Sequence, residues 1–428
     1  IGGHSLGTAT TNSNNVAVGY GSMSSTEFSA KNVAVGSNTL QNVTNGSSTD
    51  TYNTAVGYNA GISVTTGTAN TIIGGLAGDA LTTGVHNTVV GYAALTNEDA
   101  HGKNVAVGYE TLNQQNAGAD AYNVAVGYEA GQQITTATQN TLVGGLAGDA
   151  LTEGKNNVAI GYSALTAETH GERNVAIGIF ALGNQVNNSD VDTYNVAVGY
   201  NAGYAVTTGT NNTIIGGLAG DALTTGVRNV AIGKGALSAE DTGSYNVAIG
   251  ESALTDQNVD NAYNVAVGYH SGLSVTTGID NVIIGGLAGD ALTVGENNTV
   301  VGRSALGACV DGDNNVAVGR NALLVYEGGD GEGGNVGVGR DAGKALSTGQ
   351  LNTILGHLAG DAITTGSGNT IIGRSAAASA VDVSNEITLG DSNITALRCQ
   401  VTSISSLSDK RDKKDIKDST YGLDFVDS

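Results

Sequence analysis

A five-residue phrase returns along this chain at almost constant spacing: Asn, then Val or Thr, then Ala, Ile or Val, then Val, Ile or Leu, then Gly. Its Asn recurs from Asn15 to Asn369, mostly at intervals of 17 residues. Every fourth interval is usually longer, at 18 to 21, which gives a super-repeat of 69 to 72 residues starting at Asn53, Asn123, Asn195, Asn264 and Asn335. The second coil of each carries Gly-Gly-Leu-Ala-Gly-Asp-Ala, or Gly-His-Leu-Ala-Gly-Asp-Ala at 356–362, and a degenerate copy at 385–390 ends the array. A period this regular decides the architecture, because each repeat must be one unit that buries its apolar side against its neighbours.

Seventeen residues is too short for a pair of helices, and no window shows apolar residues recurring every 3.6 positions. The apolar phrase is β-branched and closed by Gly, which reads as a short strand followed by a turn. One coil per repeat sets each strand beside its equivalent one turn later, in parallel. At ~4.8 Å between strands, about 22 coils make a rod roughly 105 Å long. The expected fold class is therefore all-β, a parallel β-solenoid over residues 1–390. Composition agrees: 66 Gly, no Pro, no Trp and three Phe leave little to fill a large globular core. The abundance of Val and Ile separates the chain from disordered sequences, which are poor in β-branched residues.

Side-chain alternation suggests a surface. In Asn123-Val124-Ala125-Val126-Gly127 the two valines share one face and Ala125 takes the other. With the valines filling the coil, Ala125 and its equivalents form an outward line of small apolar residues, where a second chain packs. The Asn is expected to stack as an amide ladder between coils. The Gly is expected to take a positive φ at a tight corner.

The net charge of −22 excludes nucleic acid and anionic membrane as partners, since both require a basic footprint. The one basic cluster, Lys410 to Lys417, alternates with Asp409, Asp412, Asp415 and Asp418, so its field largely cancels. Cys309 and Cys399 are too few for a disulfide framework. No apolar run reaches membrane-spanning length, so no membrane insertion is expected. Ile1-Gly2-Gly3 matches Ile73-Gly74-Gly75, so the chain opens inside a repeat and an upstream part is expected.

Asn157-Val158-Ala159-Ile160-Gly161 and Asn174-Val175-Ala176-Ile177-Gly178 resemble the coils of trimeric autotransporter adhesin heads. That resemblance covers residues 1 to about 390 and implies a left-handed parallel β-roll, trimerised side by side. Ser408-Asp409-Lys410-Arg411-Asp412-Lys413-Lys414-Asp415-Ile416, after Ala396-Leu397-Arg398-Cys399-Gln400, resembles the junction into the intramolecular chaperone of phage tailspikes, tail fibres and endosialidases. The resemblance implies a stalk at 391–407 and the start of a chaperone at 408–428. It also implies self-cleavage at Leu407–Ser408, with Ser408 as nucleophile and Lys413 assisting. Activation by a neighbouring lysine is chemically reasonable for a serine hydroxyl.

The combination implies a homotrimeric bacteriophage tail fibre, carried on the virion, that attaches to a host receptor such as a cell-surface glycan. A bacterial surface adhesin and a glycan-degrading tailspike are the competing readings. The tailspike would need a carboxylate pair in a groove, and no paired acidic positions stand out.

Candidate receptor-binding residues are Tyr58, Tyr128, Tyr200 and Tyr269, each five positions after its Asn; further tyrosines precede the Asn at Tyr52, Tyr122, Tyr194, Tyr245 and Tyr263. A tyrosine offers a flat face and a hydroxyl to a sugar, and the same rows can equally be ladders that cover the coil edge. The longer loops at 111–122, 182–194, 254–263 and 323–334 recur on one edge, where recognition usually sits. Asp79, Asp149, Asp221, Asp290 and Asp361 return only every fourth coil, whereas calcium β-rolls need an Asp in each short repeat. The six histidines lack metal-ligand spacing, so neither a metal nor a cofactor is expected.

Overall fold

The computed structural model describes residues 2–7, 13–328 and 333–398. The chain divides after Gly390 into one unit, Ile1–Gly390, and a second, Asp391–Ser428. Among the described residues of the second unit, Asp391 accepts hydrogen bonds from the backbone N–H and side-chain amide of Asn393. No described helix is long and apolar enough to cross a membrane.

The first unit is a parallel β-solenoid. Among the described residues each coil contributes one three-residue strand, from Val16–Val18 to Ile387–Leu389, to a single sheet of 22 strands. Register is exact along the array: Leu142 stands between Ala125 and Ala159, and Ile214 between Ala197 and Ala231. Backbone bonds alternate up and down. The Val124 N–H reaches forward to the Asn140 carbonyl at 2.8 Å, and the Gly127 N–H reaches back to Val107 at 2.9 Å.

The strand faces are the reverse of the expectation. Ala125 is fully buried, as are Ala197 and Ala266, while Val124 and Val126 are partly exposed. The reason is volume. A coil of 17 residues encloses a narrow channel, and the middle strand residue shares it with residues eight, nine and twelve of the coil, such as Ala130, Gly131 and Ile134. Two valines per strand pointing inward would overfill that space, so the single small residue turns in and the β-branched pair turns out.

The same constraint explains the four-coil super-repeat. In the third and fourth coils residue nine is Leu, as in Leu95 and Leu112. In the first and second it is Gly, and the second coil then carries a large middle strand residue such as Leu142. A Cβ added at Gly131 would lie 2.8 Å from Leu142 Cδ1 and 3.0 Å from Leu112 Cδ2. Large and small residues therefore alternate along the axis with a period of four coils.

The Gly that closes each strand is required twice over. At Gly161 φ is +137°, and an added Cβ would sit 2.5 Å from the carbonyl oxygen of Gly178 in the next coil. No L side chain suits that conformation, and none fits that gap. In most coils at least two further corners put ordinary residues in the left-handed region, as at Tyr122 (φ 54°) and Glu129 (φ 51°). The inter-coil ladder holds them there: the Glu129 N–H bonds the Tyr109 carbonyl at 2.9 Å.

Candidate functional site

The long loops are built over a buried polar network that follows from the Asn ladder. At an ordinary corner, Asn140 Oδ1 accepts from the backbone N–H of Asn157 at 2.9 Å, while its Nδ2 donates to the carbonyl of Gly154 at 3.0 Å. The ladder thus runs chiefly from amide oxygen to the next backbone N–H. Direct amide-to-amide bonds, as from Asn140 Nδ2 to Asn123 Oδ1 at 3.3 Å, join only some coils. In the fourth coil of each super-repeat the inserted loop removes the carbonyl that this amide would meet. Asn104 Nδ2 and Asn246 Nδ2 are buried there without a partner.

A glutamate from the third coil and a glutamine from the fourth fill the widened corner. Gln115 donates to Glu98 at 3.1 Å, Gln185 to Glu168 at 2.7 Å and Gln257 to Glu240 at 3.0 Å. Each glutamine oxygen accepts in turn from the Asn that begins the next super-repeat: Asn123, Asn195 and Asn264, all at 2.9 Å. The carboxylates also collect loop N–H groups. Glu168 accepts from Gly171 at 2.7 Å and from Asn187 at 3.1 Å, and Glu240 accepts from Gly243 at 2.6 Å. All six side chains are buried, and desolvation pushes the Glu240 carboxyl above its ordinary range.

In the next super-repeat Cys309 and Tyr326 occupy these two places, and burial lifts the thiol and the phenol each to about 12. The sequence reading found the loops and missed this anchor. The signal was available: twelfth in the coil, Leu81, Ile134, Leu151 and Leu223 are replaced by Glu and Gln only where a loop lengthens.

The outer surface carries two tyrosine rows. Tyr58, Tyr128, Tyr200 and Tyr269 all stand exposed, directly after the strand-closing Gly. Four coils separate successive members, about 19 Å, so the fold does not bring them together. Tyr128 stacks on Tyr109, which stacks on Tyr92, with ring centroids 5.4 and 5.6 Å apart. A hydrogen bond to Glu110 raises the Tyr109 phenol to about 12. Tyr269 lies flat against His270 at 3.8 Å.

The second row ends the long loops before Asn53, Asn123, Asn195 and Asn264, though not the loop 323–334, and is organised differently. Lys31 Nζ bonds Asp50 at 2.6 Å and the Tyr52 hydroxyl at 3.0 Å, and sits 5.0 Å from the Tyr52 ring centre. One super-repeat later Lys103 Nζ bonds Asp120 at 2.6 Å and the Tyr122 hydroxyl at 2.8 Å, 4.9 Å from that ring centre. Next, Arg173 pairs with Asp192 and lies 5.6 Å from the ring centre of Tyr194, whose hydroxyl is 3.3 Å from the same Asp. The hydrogen bonds to lysine hold the Asp50 and Asp120 carboxyls below the usual range. The fourth copy departs from this: Arg228 covers Tyr245 at 5.6 Å, and Tyr263 stacks on Tyr245 at 5.0 Å.

Other candidates resolve plainly. Asp79, Asp149, Asp221 and Asp290 lie partly buried, and desolvation raises each carboxyl. Glu98, Asp99 and His101 place possible ligand atoms within 4.8 Å of one another. The Glu98 carboxylate is already committed to the His101 N–H at 3.0 Å, the His101 ring at 3.2 Å and Gln115. Ser408, Lys413, Cys399 and the basic run lie outside the described residues, as does part of the loop 323–334.

No protein-family model, no curated protein and no solved structure matches the chain.

Proposed function

We propose that the chain is a segment of a bacteriophage tail fibre, a left-handed solenoid that forms a homotrimer and holds host-contacting loops and tyrosines on a rigid shaft. The phage assignment and the handedness rest on the resemblances at 396–416 and in the coils, and one observation of the fold supports the side-by-side assembly. The two outward positions of the 22 strands hold only Val, Thr or Ile at the first and only Val, Ile or Leu at the third. No charge interrupts either row. At ~4.8 Å per strand and ~7 Å between the rows, this uncharged strip of Val, Ile, Leu and Thr has a footprint of about 700 Å², comparable to the largest apolar patches that soluble monomers expose, which are often functional. A strip of that length and uniformity suits identical strips on two further copies of the chain.

Light scattering should return three times the chain mass. Val126→Asp, Val198→Asp and Val267→Asp together place carboxylates in the proposed seam and should dissociate the assembly. A stable, folded wild-type monomer would overturn the proposal. Self-cleavage at Leu407–Ser408 belongs to the same reading. In the full-length gene product, Ser408→Ala and Lys413→Ala should abolish a C-terminal cut that the wild type makes, and an uncut wild type that assembles normally removes the catalytic assignment.

A further inference from the structure

We infer that the three Tyr–Asp–cation clusters at the ends of the long loops are repeated binding subsites for a neutral glycan, an inference that rests on the host-attachment reading above. Tyr52, Tyr122 and Tyr194 are 54, 51 and 49% exposed, yet each ring is fixed. A lysine or arginine from the preceding coil lies over one face. In the first two clusters the lysine also bonds the phenol, and in all three an Asp holds the cation in place. An immobilised ring loses little rotamer freedom on binding, which is where exposed tyrosines ordinarily give up affinity.

One coil later the neighbouring position carries no aromatic or cationic side chain in any of the three clusters. That position holds the exposed residues Ala69, Gln139 and Asn211, and among the described residues no second ring or cation covers Tyr52, Tyr122 or Tyr194. An apolar plane bordered by a carboxylate acceptor and a cationic donor matches a pyranose, whose axial C–H groups stack on the plane while its hydroxyls meet the charged rim. A carboxylate in each cluster and a net charge of −22 disfavour an anionic sugar.

Spacing adds a second argument. The clusters recur at four-coil intervals, about 19 Å apart on one edge of a rigid scaffold. A flexible recognition peptide would gain nothing from that regularity, whereas a polysaccharide with its own repeat can engage several subsites, and linked weak sites gain avidity. The row after the strand-closing Gly is a weaker candidate: Tyr128 is stacked within a tyrosine column and Tyr269 on a histidine.

The test applies the full chain to immobilised neutral polysaccharides (dextran, galactan and mannan) and to anionic ones (hyaluronate and polysialic acid), reading binding by surface plasmon resonance. The wild type should bind at least one neutral polysaccharide. Tyr52→Ala, Tyr122→Ala and Tyr194→Ala together should weaken that binding about tenfold or more through lost avidity. Lys234→Ala with Glu251→Ala, an exposed ion pair outside the clusters, should leave it unchanged. Asp50→Ala, Asp120→Ala and Asp192→Ala together keep the rings but release the cations, so they give an independent readout should the tyrosine variant fold poorly. Wild-type binding that survives both triple variants overturns the subsites while the attachment reading stands. Binding to anionic polysaccharides alone overturns the glycan class. Binding to none of the panel overturns the inference and, if host cells are not bound either, assigns the segment to the shaft.

Discussion

Each ladder Asn does two jobs with one side chain. Asn140 accepts the backbone N–H of the next coil and donates to a carbonyl fourteen residues along, so it joins coils and pins a corner of its own coil. Leaving either buried partner unmatched costs roughly 1–3 kcal/mol, which explains why Asn holds this place in nearly every coil. Glu386 replaces it in the last coil, where its N–H still bonds Asn369 Oδ1 at 2.9 Å and its carboxylate turns to Ser379 and Thr388. The partly buried aspartates make the opposite contribution. Their pKa values are raised in the folded state, so the stability they confer is present below the ordinary carboxylate pKa and is lost as pH rises through the raised folded value. The melting temperature should therefore fall as pH rises from about 4 toward neutrality. Asp79→Asn, Asp149→Asn, Asp221→Asn and Asp290→Asn together should raise the neutral-pH melting temperature and flatten that slope. The comparison needs a matched variant that neutralises four solvated carboxylates, since relief of the net negative charge acts in the same direction. Equal slopes in wild type and the aspartate variant would remove burial as the cause.

At the level of the strand and its loop, the sequence made the element obvious and its facing ambiguous. Val-Ala-Val has a period of two whichever side is inward, so alternation alone cannot tell core from surface. What decides is the size of the coil interior, and that depends on residues far along the repeat: Leu112 and Gly131 set the room available beside Ala125. The two faces give separable outcomes. Asp at Ala125, Ala197 and Ala266 buries unpaired carboxylates and should unfold the coils, seen as lost circular dichroism signal. Asp at Val126, Val198 and Val267 should keep the β signal while changing the mass. If the alanine variant stayed folded and merely dissociated, the facing described above would be wrong. The loops were legible as irregular intervals, but their anchor was not. Glu168 and Gln185 are 17 residues apart and look like ordinary polar residues until the coil register puts one on top of the other, inside the channel.

For the solenoid as a whole, each coil touches only the coils before and after it, so stability is close to a sum of nearest-neighbour terms. That predicts which deletions the fold tolerates. Removing 195–263 joins Tyr194 to Asn264, which begins the same kind of coil as Asn195. Gly272 then stands where Gly203 stood, Gln185 meets a new Asn amide, and every large-to-small contact is restored. The shortened chain should fold with unchanged β signal per residue and a shaft shorter by about 19 Å in electron micrographs. Removing only 195–211 joins Tyr194 to Asn212 and also keeps the 17-residue phrase unbroken. It deletes Gly203, however, whose missing side chain makes room between Leu182 and Ile214: a Cβ there would lie 3.1 and 2.9 Å from their methyl groups. Leu182 and Ile214 then compete for one layer of the channel, an overpacking worth about 1–3 kcal/mol. The smaller deletion should therefore melt at a lower temperature than the larger one, against the intuition that less removal does less harm. If the two deletions melted together, the four-coil period would be a pattern of loop lengths with no consequence for the core.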